Sequence, residues 1–258
     1  MIKHLVKIFT FIICVIALNA QDDSNYYRQF NKNLKTALIL FKIDNSYNTS
    51  LDLLNLLDSN ALNNVASKRF NFFHDGKLYI NYGDINSLAG NNRIKLFTFD
   101  TVNYRSVKYT GIDSSVIRLY SSIISAQDSL IYNCYEKQKI DVNTYFIRNG
   151  DSITLFIVPL WQRTGKIIYG QYHIKKYFLH NNDYTLVEEY ESKSGFKVFP
   201  EDTEEVYLDY SEDFCPSAVA IFYSLAYKDV FNKLIIETKN KYTLLNDFNL
   251  GSYTHMGK

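Results

Sequence analysis

Glycine, proline, cysteine and tryptophan are all scarce in this sequence, which has 10, 3, 3 and 1 of them among 258 residues. A chain this poor in glycine and proline, with 47% hydrophobic and 21% charged residues, is neither collagen-like nor disordered. An excess of charge of one sign is also missing, because 28 basic side chains balance 27 acidic ones. We therefore predict no nucleic-acid partner.

A long apolar run that could span a bilayer is absent as well, and the most apolar segment lies at the start. Residues 1–20 combine Lys3 and Lys7 with a short apolar stretch that ends before polar Gln21. This order is typical of a secretory signal peptide. We predict cleavage between Ala20 and Gln21, export to the periplasm or the extracellular space, and no membrane span after removal of the signal.

Removal of that signal leaves two cysteines, Cys134 and Cys215. In an oxidising compartment they could form one disulfide, which closes a loop of about eighty residues and stabilises by roughly 4 kcal/mol. Free cysteine also packs as a small hydrophobic residue, so two separate buried thiols are the alternative. The sequence leaves both alternatives open.

Helical periodicity marks the first part of the chain, up to about residue 68. Apolar residues recur there at spacings of three and four, which places them on one helix face. They are Tyr27, Phe30, Leu34, Leu38 and Phe41.

Strand signals dominate from about residue 69 onwards. Asp75-Gly76 and Asn149-Gly150 separate alternating apolar runs and predict hairpins, as does the polar break at residues 239–240. Two continuous apolar runs, Ile153–Trp161 and Ala218–Tyr227, indicate buried strands.

These patterns predict an α+β fold in which a helical N-terminal segment packs on a mainly antiparallel, hairpin-rich β-sheet. We expect a single domain over residues 21–250, helical at about 21–68 and β-rich at about 69–250. Residues 251–258 are expected to form a loose tail.

Reactive groups in recognisable spacing are not found, so we assign no catalytic, cofactor-binding or metal-ligating residue. The chain has no His-Glu-x-x-His, no Cys-x-x-Cys and no phosphate-binding glycine loop. The histidines outside the signal are interpreted as exposed side chains without a ligand role. They are His74, His173, His180 and His255.

A cluster of carboxylates late in the chain supports a different function. Seven acidic residues occur within thirteen positions, uninterrupted by lysine or arginine: Glu201, Asp202, Glu204, Glu205, Asp209, Glu212 and Asp213. Near Trp161, Tyr207 and Tyr210, such carboxylates would suit a secreted hydrolase acting on glycans. A solvated acidic loop is the simpler interpretation, and Ca²⁺ binding is a further one.

The segment Ile157–Pro200 resembles known proteins. It contains Val158-Pro159, Thr164-Gly165-Lys166, Tyr169-Gly170-Gln171-Tyr172 and Leu179-His180. These motifs, with the signal end Leu18-Asn19-Ala20-Gln21, are similar to those of exported Bacteroidota proteins of unassigned function. The resemblance covers about a sixth of the chain. It implies an envelope or secreted location and carries no catalytic residues.

Taken together, the signal, the aromatic antiparallel sheet and the lack of a reactive constellation predict an exported, non-enzymatic protein. We expect a binding, inhibitory or envelope-associated module whose partner is another protein or a glycan. The carboxylate-dependent hydrolase acting on glycans is the alternative.

Overall fold

The computed structural model describes residues 23–46, 69–74, 77–82, 95–99, 107–109, 114–159, 168–181, 183–192, 194–199, 204–231, 233–247 and 252–258. The predicted signal peptide and its cleavage point between Ala20 and Gln21 lie outside these ranges, as does Trp161. The predicted helical residues 47–68 also lie outside them.

Four α-helices are present in the described ranges. They are α1 (residues 23–46), α2 (Ser114–Ser125), α3 (Asp128–Cys134) and α4 (Ala218–Ala226), with a 3₁₀ turn at Glu136–Gln138 after α3.

The strands in the same ranges number fourteen. They are β1 (Arg69–His74), β2 (Lys77–Tyr82), β3 (Lys95–Phe99), β4 (Val107–Tyr109), β5 (Val142–Asn149), β6 (Ser152–Pro159), β7 (Ile168–Gly170), β8 (His173–His180), β9 (Asp183–Glu191), β10 (Phe196–Val198), β11 (Glu205–Asp209), β12 (Lys233–Glu237), β13 (Lys241–Asp247) and β14 (Ser252–Gly257).

Three sheets result, and most neighbouring strands in them are antiparallel. The largest has eight strands in the order β4-β3-β2-β1-β5-β6-β8-β9, and only its β1–β5 pair is parallel. A four-stranded sheet has the order β11-β12-β13-β14, with β11 and β12 parallel. A two-stranded sheet joins β7 and β10. The predicted α+β class with a mainly antiparallel sheet is confirmed.

The chain divides into two compact units. The sequence instead predicted one domain that changes from helical to β-rich near residue 69. The larger unit is Leu40–Thr203. The smaller unit combines Met1–Ile39 with Glu204–Lys258, so the first boundary falls inside α1.

The larger unit has its main core between the eight-stranded sheet and helices α2 and α3. Aromatic rings from both layers meet there: Tyr120 of α2 stacks on Phe72 at 4.4 Å between centroids and lies edge-on to Phe146 at 4.9 Å. Ile153, Leu155 and Ile157 of β6 face the same core. Their spacing of two places them on one face of the strand.

The predicted hairpins form as expected. Antiparallel pairs join β1 to β2, β5 to β6 and β12 to β13. Gly150 has a φ of +60° in the turn between β5 and β6. Glycine adopts this conformation without the steric cost that a Cβ would bring.

The smaller unit is built around α4, which is buried from Ala218 to Leu225. The prediction of a buried strand over Ala218–Tyr227 is therefore wrong. An apolar run of this length fits a buried helix as well as a buried strand. Ser217 favours the helix because it is the N-cap residue of α4. Its side chain accepts a hydrogen bond from the Ala220 N–H at 3.1 Å, which caps the first turn.

Helix α1 packs on the four-stranded sheet of the smaller unit, as predicted. The Phe30 ring contacts the Tyr253 ring at 5.1 Å and the His255 ring at 4.5 Å, both edge-on. Both partners lie on β14, which pairs with β13 over most of its length. The predicted loose tail at residues 251–258 is thus wrong, because Ser252–Gly257 is a paired strand.

Candidate functional site

A long exposed strand of the larger unit is β9, which ends the eight-stranded sheet. Its neighbour on one side is β8, and no described strand pairs with the other side. The strand is nine residues long, and every residue except Tyr184 is exposed. We call the outer side of Asp183–Glu191 the β9 edge.

Large apolar side chains are exposed along this strand and beside it. The exposed fractions are 44% for Leu186, 57% for Val187 and 38% for Tyr190, with 49% for Phe178 of β8. The register shifts by one residue, because Lys176 pairs with Glu188 and Tyr177 with Leu186. Val187 therefore has no partner on β8, and its side chain is the most exposed of the four. A bulge of this kind bends a strand locally.

Carboxylates occupy the C-terminal half of β9. Glu189 forms an ion pair with the Lys175 ammonium group at 2.8 Å. The Lys175 side chain is only 9% exposed, so this carboxylate compensates an otherwise buried charge. Glu191 accepts a hydrogen bond from the Gln171 amide at 2.6 Å. Glu188, in register with Lys176, is exposed.

Beneath this hairpin lies a histidine that sequence analysis expected to be exposed. His173 is 2% exposed, so that expectation is wrong. Alternation along β8 explains the burial, since His173, Lys175 and Tyr177 share one face of the strand and are all buried. Neither ring nitrogen has a hydrogen-bond partner among the described residues, and neither does the buried Tyr135 hydroxyl. The two rings meet edge-on at 5.8 Å.

Burial lowers the pKa of His173, and the neighbouring charges act in both directions. Glu191 and Glu189 raise the pKa, whereas Lys175 lowers it, and burial dominates. Burial also raises the pKa of Tyr135. Both groups are therefore neutral at neutral pH, which is the state that a buried group without a partner favours.

A second histidine, His255, belongs to a hydrogen-bonded network in the smaller unit. Its Nδ1 atom lies 2.9 Å from the Thr243 hydroxyl and 3.3 Å from the Tyr26 hydroxyl. Burial, helped by the Lys241 charge, lowers the pKa of His255 to about 4. Lys241 itself pairs with Asp23 at 2.7 Å. The network joins α1 to β13 and β14, so its role is structural. His255 is half-buried, so the prediction that it is exposed is wrong. Of the remaining histidines, His180 is exposed as expected, and the surroundings of the His74 side chain are not described.

The two cysteines are free and belong to different units. Cys215 is buried, and its thiol donates to the Tyr26 carbonyl oxygen at 3.7 Å. Burial raises the pKa of Cys215 to about 12, and it also raises the pKa of the half-buried Cys134. No Cys134–Cys215 disulfide is present, and the alternative of two separate thiols matches the structure.

The acidic segment forms no catalytic arrangement in the part that the structure describes. Glu205 is exposed on β11, where it accepts hydrogen bonds from Lys233 and Tyr207, both at 2.9 Å. The bond from Lys233 lowers the pKa of Glu205, whereas a general acid needs a raised one. Tyr210, at the end of the strand, is buried rather than available to a sugar.

No group of three or more histidine, cysteine, aspartate or glutamate side chains within the described ranges is placed to hold a metal ion. None of the helices there combines the length and the apolar character needed to cross a bilayer.

The chain matches no protein-family model, no curated protein and no solved structure. The resemblance of Ile157–Pro200 to exported Bacteroidota proteins therefore remains a prediction. The β9 edge stands as the candidate functional site on its geometry alone.

Proposed function

We propose that this protein is an exported, non-enzymatic binding module that takes up an extended segment of another protein at the β9 edge. The observation that carries the proposal is a nine-residue edge strand exposed at every position but Tyr184. Edge strands present alternate backbone N–H and C=O groups that can pair with an added strand.

The sequence of β9 lacks some of the features that usually prevent such pairing and retains others. Natural edge strands are protected by lysine and other charged side chains, by proline, by shortness or by a bulge. Asp183–Glu191 contains no lysine, arginine or proline, and its length exceeds the five to six residues typical of strands. Leu186 and Val187 add apolar surface that an added strand would remove from water. The four carboxylates of β9 and the bulge at Val187 are protective features that a partner strand has to accommodate.

The alternative of a carboxylate-dependent hydrolase receives no support from a particular contact. The carboxylate of Glu205 is paired with Lys233 and lies in solvent. The lowered pKa of Glu205 does not suit the acid role in glycoside hydrolysis. The binding module is therefore the function that we propose.

The experiment places a photo-crosslinking amino acid, p-benzoylphenylalanine, at position 187 of the protein produced in its native host. We expect a crosslink to one partner, from whose adduct mass spectrometry identifies the crosslinked segment. That segment, made as a peptide, should bind the wild-type protein and lose at least tenfold in affinity for Val187→Lys. Val230→Lys is the matched control, because Val230 is 41% exposed in the smaller unit.

Two results would contradict the proposal. One is a peptide that binds Val187→Lys as tightly as the wild type; the other is crosslinking at position 230 to the same partner as at position 187. The same preparation tests export through its intact mass. A secreted chain starting at Gln21 supports export, and a chain that retains Met1 contradicts it.

A further inference from the structure

We infer that the segment bound at the β9 edge is basic, with lysine or arginine next to apolar residues. This inference rests on the proposed function, and it adds the chemistry of the partner. It follows from the distribution of charge along β9 rather than from the exposure of the strand.

Charge on this hairpin is unbalanced. β9 carries four carboxylates and no basic side chain: Asp183, Glu188, Glu189 and Glu191. Its neighbour β8 supplies two ammonium groups, Lys175 and Lys176. Lys175 pairs with Glu189, so the remaining carboxylates outnumber the remaining ammonium groups by three to one.

The excess is concentrated at one end of the strand. Three of the four carboxylates fall within the four residues Glu188–Glu191. The fourth, Asp183, accepts a hydrogen bond from the Tyr184 N–H at 2.8 Å, at the opposite end. A bound strand would therefore meet apolar side chains at Leu186 and Val187 and negative charge beyond them.

Strand addition brings these charges close to the partner. Side chains directly opposite each other on paired strands lie about 5 Å apart, and opposite charges at that distance attract while like charges repel. Because Glu188 and Glu189 are adjacent in sequence, their side chains point to opposite faces. Lysine or arginine at consecutive partner positions would thus find a carboxylate on either face.

A second copy of this chain satisfies the charges less well. Two β9 strands paired antiparallel about Val187 would place Asp183 opposite Glu191 at both ends, with like charges facing each other. Glu188 and Glu189 would lie opposite Leu186 and Thr185, which offer no positive charge. A basic segment therefore complements this edge better than the edge complements itself.

The experiment uses the mature full-length protein and three synthetic nine-residue peptides. All three share the same apolar residues at the positions that would lie opposite Leu186 and Val187. They differ only in having lysine, glutamine or glutamate at the positions that would lie opposite Glu188–Glu191. Fluorescence anisotropy at 50 and 500 mM NaCl measures the affinity of each. Sedimentation equilibrium of the protein alone measures self-association.

We expect the lysine peptide to bind about tenfold tighter than the glutamine peptide, since each cross-strand pair contributes about 1.5- to fivefold. The glutamate peptide should bind weakest. Added salt should shrink the difference, because the screening length falls from about 14 Å to about 4 Å between the two concentrations. Glu188→Gln/Glu191→Gln should reduce the preference for lysine, whereas the control Glu212→Gln, exposed in the smaller unit, should not.

The outcomes separate this inference from the proposed function. Equal binding of the lysine and glutamine peptides, lost on Val187→Lys, overturns the basic partner and leaves the binding edge intact. A dimer that Val187→Lys dissociates makes a second copy the occupant and overturns the inference. If none of the three peptides binds, the inference is also overturned. The crosslinking experiment at position 187 then remains as the test of the proposed function.

Discussion

At the scale of single residues, His173 is the group whose environment is least expected. A buried imidazole usually donates or accepts at least one hydrogen bond. Here both nitrogens lack a partner among the described residues, and the Tyr135 hydroxyl beside them lacks one too. An apolar side chain of similar shape at position 173 would remove a buried polar group from this site.

We predict that His173→Phe makes stability less dependent on pH. The pKa of His173 is lower in the folded protein than the value of about 6.5 in an unfolded chain. As the pH falls below about 6.5, the unfolded chain binds the proton first, so the free energy of unfolding decreases. Urea unfolding at pH 7.5 and pH 5 measures the effect.

For His173→Phe, the difference in urea midpoint between these two pH values should be smaller than in the wild type. At pH 5 the variant should be at least as stable as the wild type. His180→Gln, which alters an exposed histidine of the same strand, is the control and should behave like the wild type. An unchanged pH dependence in His173→Phe would show that His173 does not titrate as its burial demands.

At the scale of elements, the β7–β10 pair depends on one close backbone approach. A Cβ at Gly170 would collide with the Gly195 carbonyl oxygen, and no relaxation of a side chain can relieve this clash. That oxygen accepts a hydrogen bond from the Gln171 N–H at 2.9 Å. Gly195, at a φ of +64°, has open space where its Cβ would stand.

We predict that Gly170→Ala destabilises the larger unit more than Gly195→Ala does. The second substitution should lower the free energy of unfolding by about 1–2 kcal/mol, the cost of a left-handed non-glycine residue. The first should cost more, because the two backbone segments must separate. Urea denaturation monitored by circular dichroism compares the two variants. Equal losses of unfolding free energy would contradict the close approach of the two backbones at Gly170.

At the scale of the whole molecule, the smaller unit is assembled from segments far apart in sequence. The Tyr26 and Thr243 hydroxyls, 2.9 Å apart, are separated by 217 positions. β14 completes this assembly, since His255 contacts the rings of both Tyr26 and Phe30. A segment expected to be a loose tail thus holds the helix in place.

We predict that deletion of residues 252–258 destabilises the smaller unit by at least about 3 kcal/mol, the usual cost of removing one buried aromatic side chain. Deletion of Lys258 alone is the control. It removes the ion pair between Lys258 and Glu237. Both side chains are 27% exposed, so the loss should have a small effect on stability. Near-ultraviolet circular dichroism and urea midpoints measure both. Equal stability of the two deletions would mean that β14 contributes nothing.

Local signals in the sequence predicted what depends on local structure. Asp75-Gly76 and Asn149-Gly150 predicted their hairpins, because turn residues determine which strands can pair across two positions. The three- and four-residue spacing after residue 23 likewise predicted α1.

Features that depend on distant partners were missed. Ser252–Gly257 forms a strand because β13 pairs with it, and its own residues give no strong alternation. His173 lies two residues before Lys175-Lys176 in sequence, which suggests exposure, whereas in the fold it is buried against the Tyr135 ring. The β9 edge could not be predicted for the same reason, since the order of strands in the sheet determines which strand lies at its edge.

The long separation between Tyr26 and Thr243 also has a consequence in time. At a synthesis rate of about 5–20 residues per second, roughly 10–40 s pass between the appearance of α1 and that of its sheet. During this interval the apolar face carrying Tyr26 and Phe30 has no β13 or β14 to cover it. We expect the nascent chain to need a holding chaperone until its last strands are made.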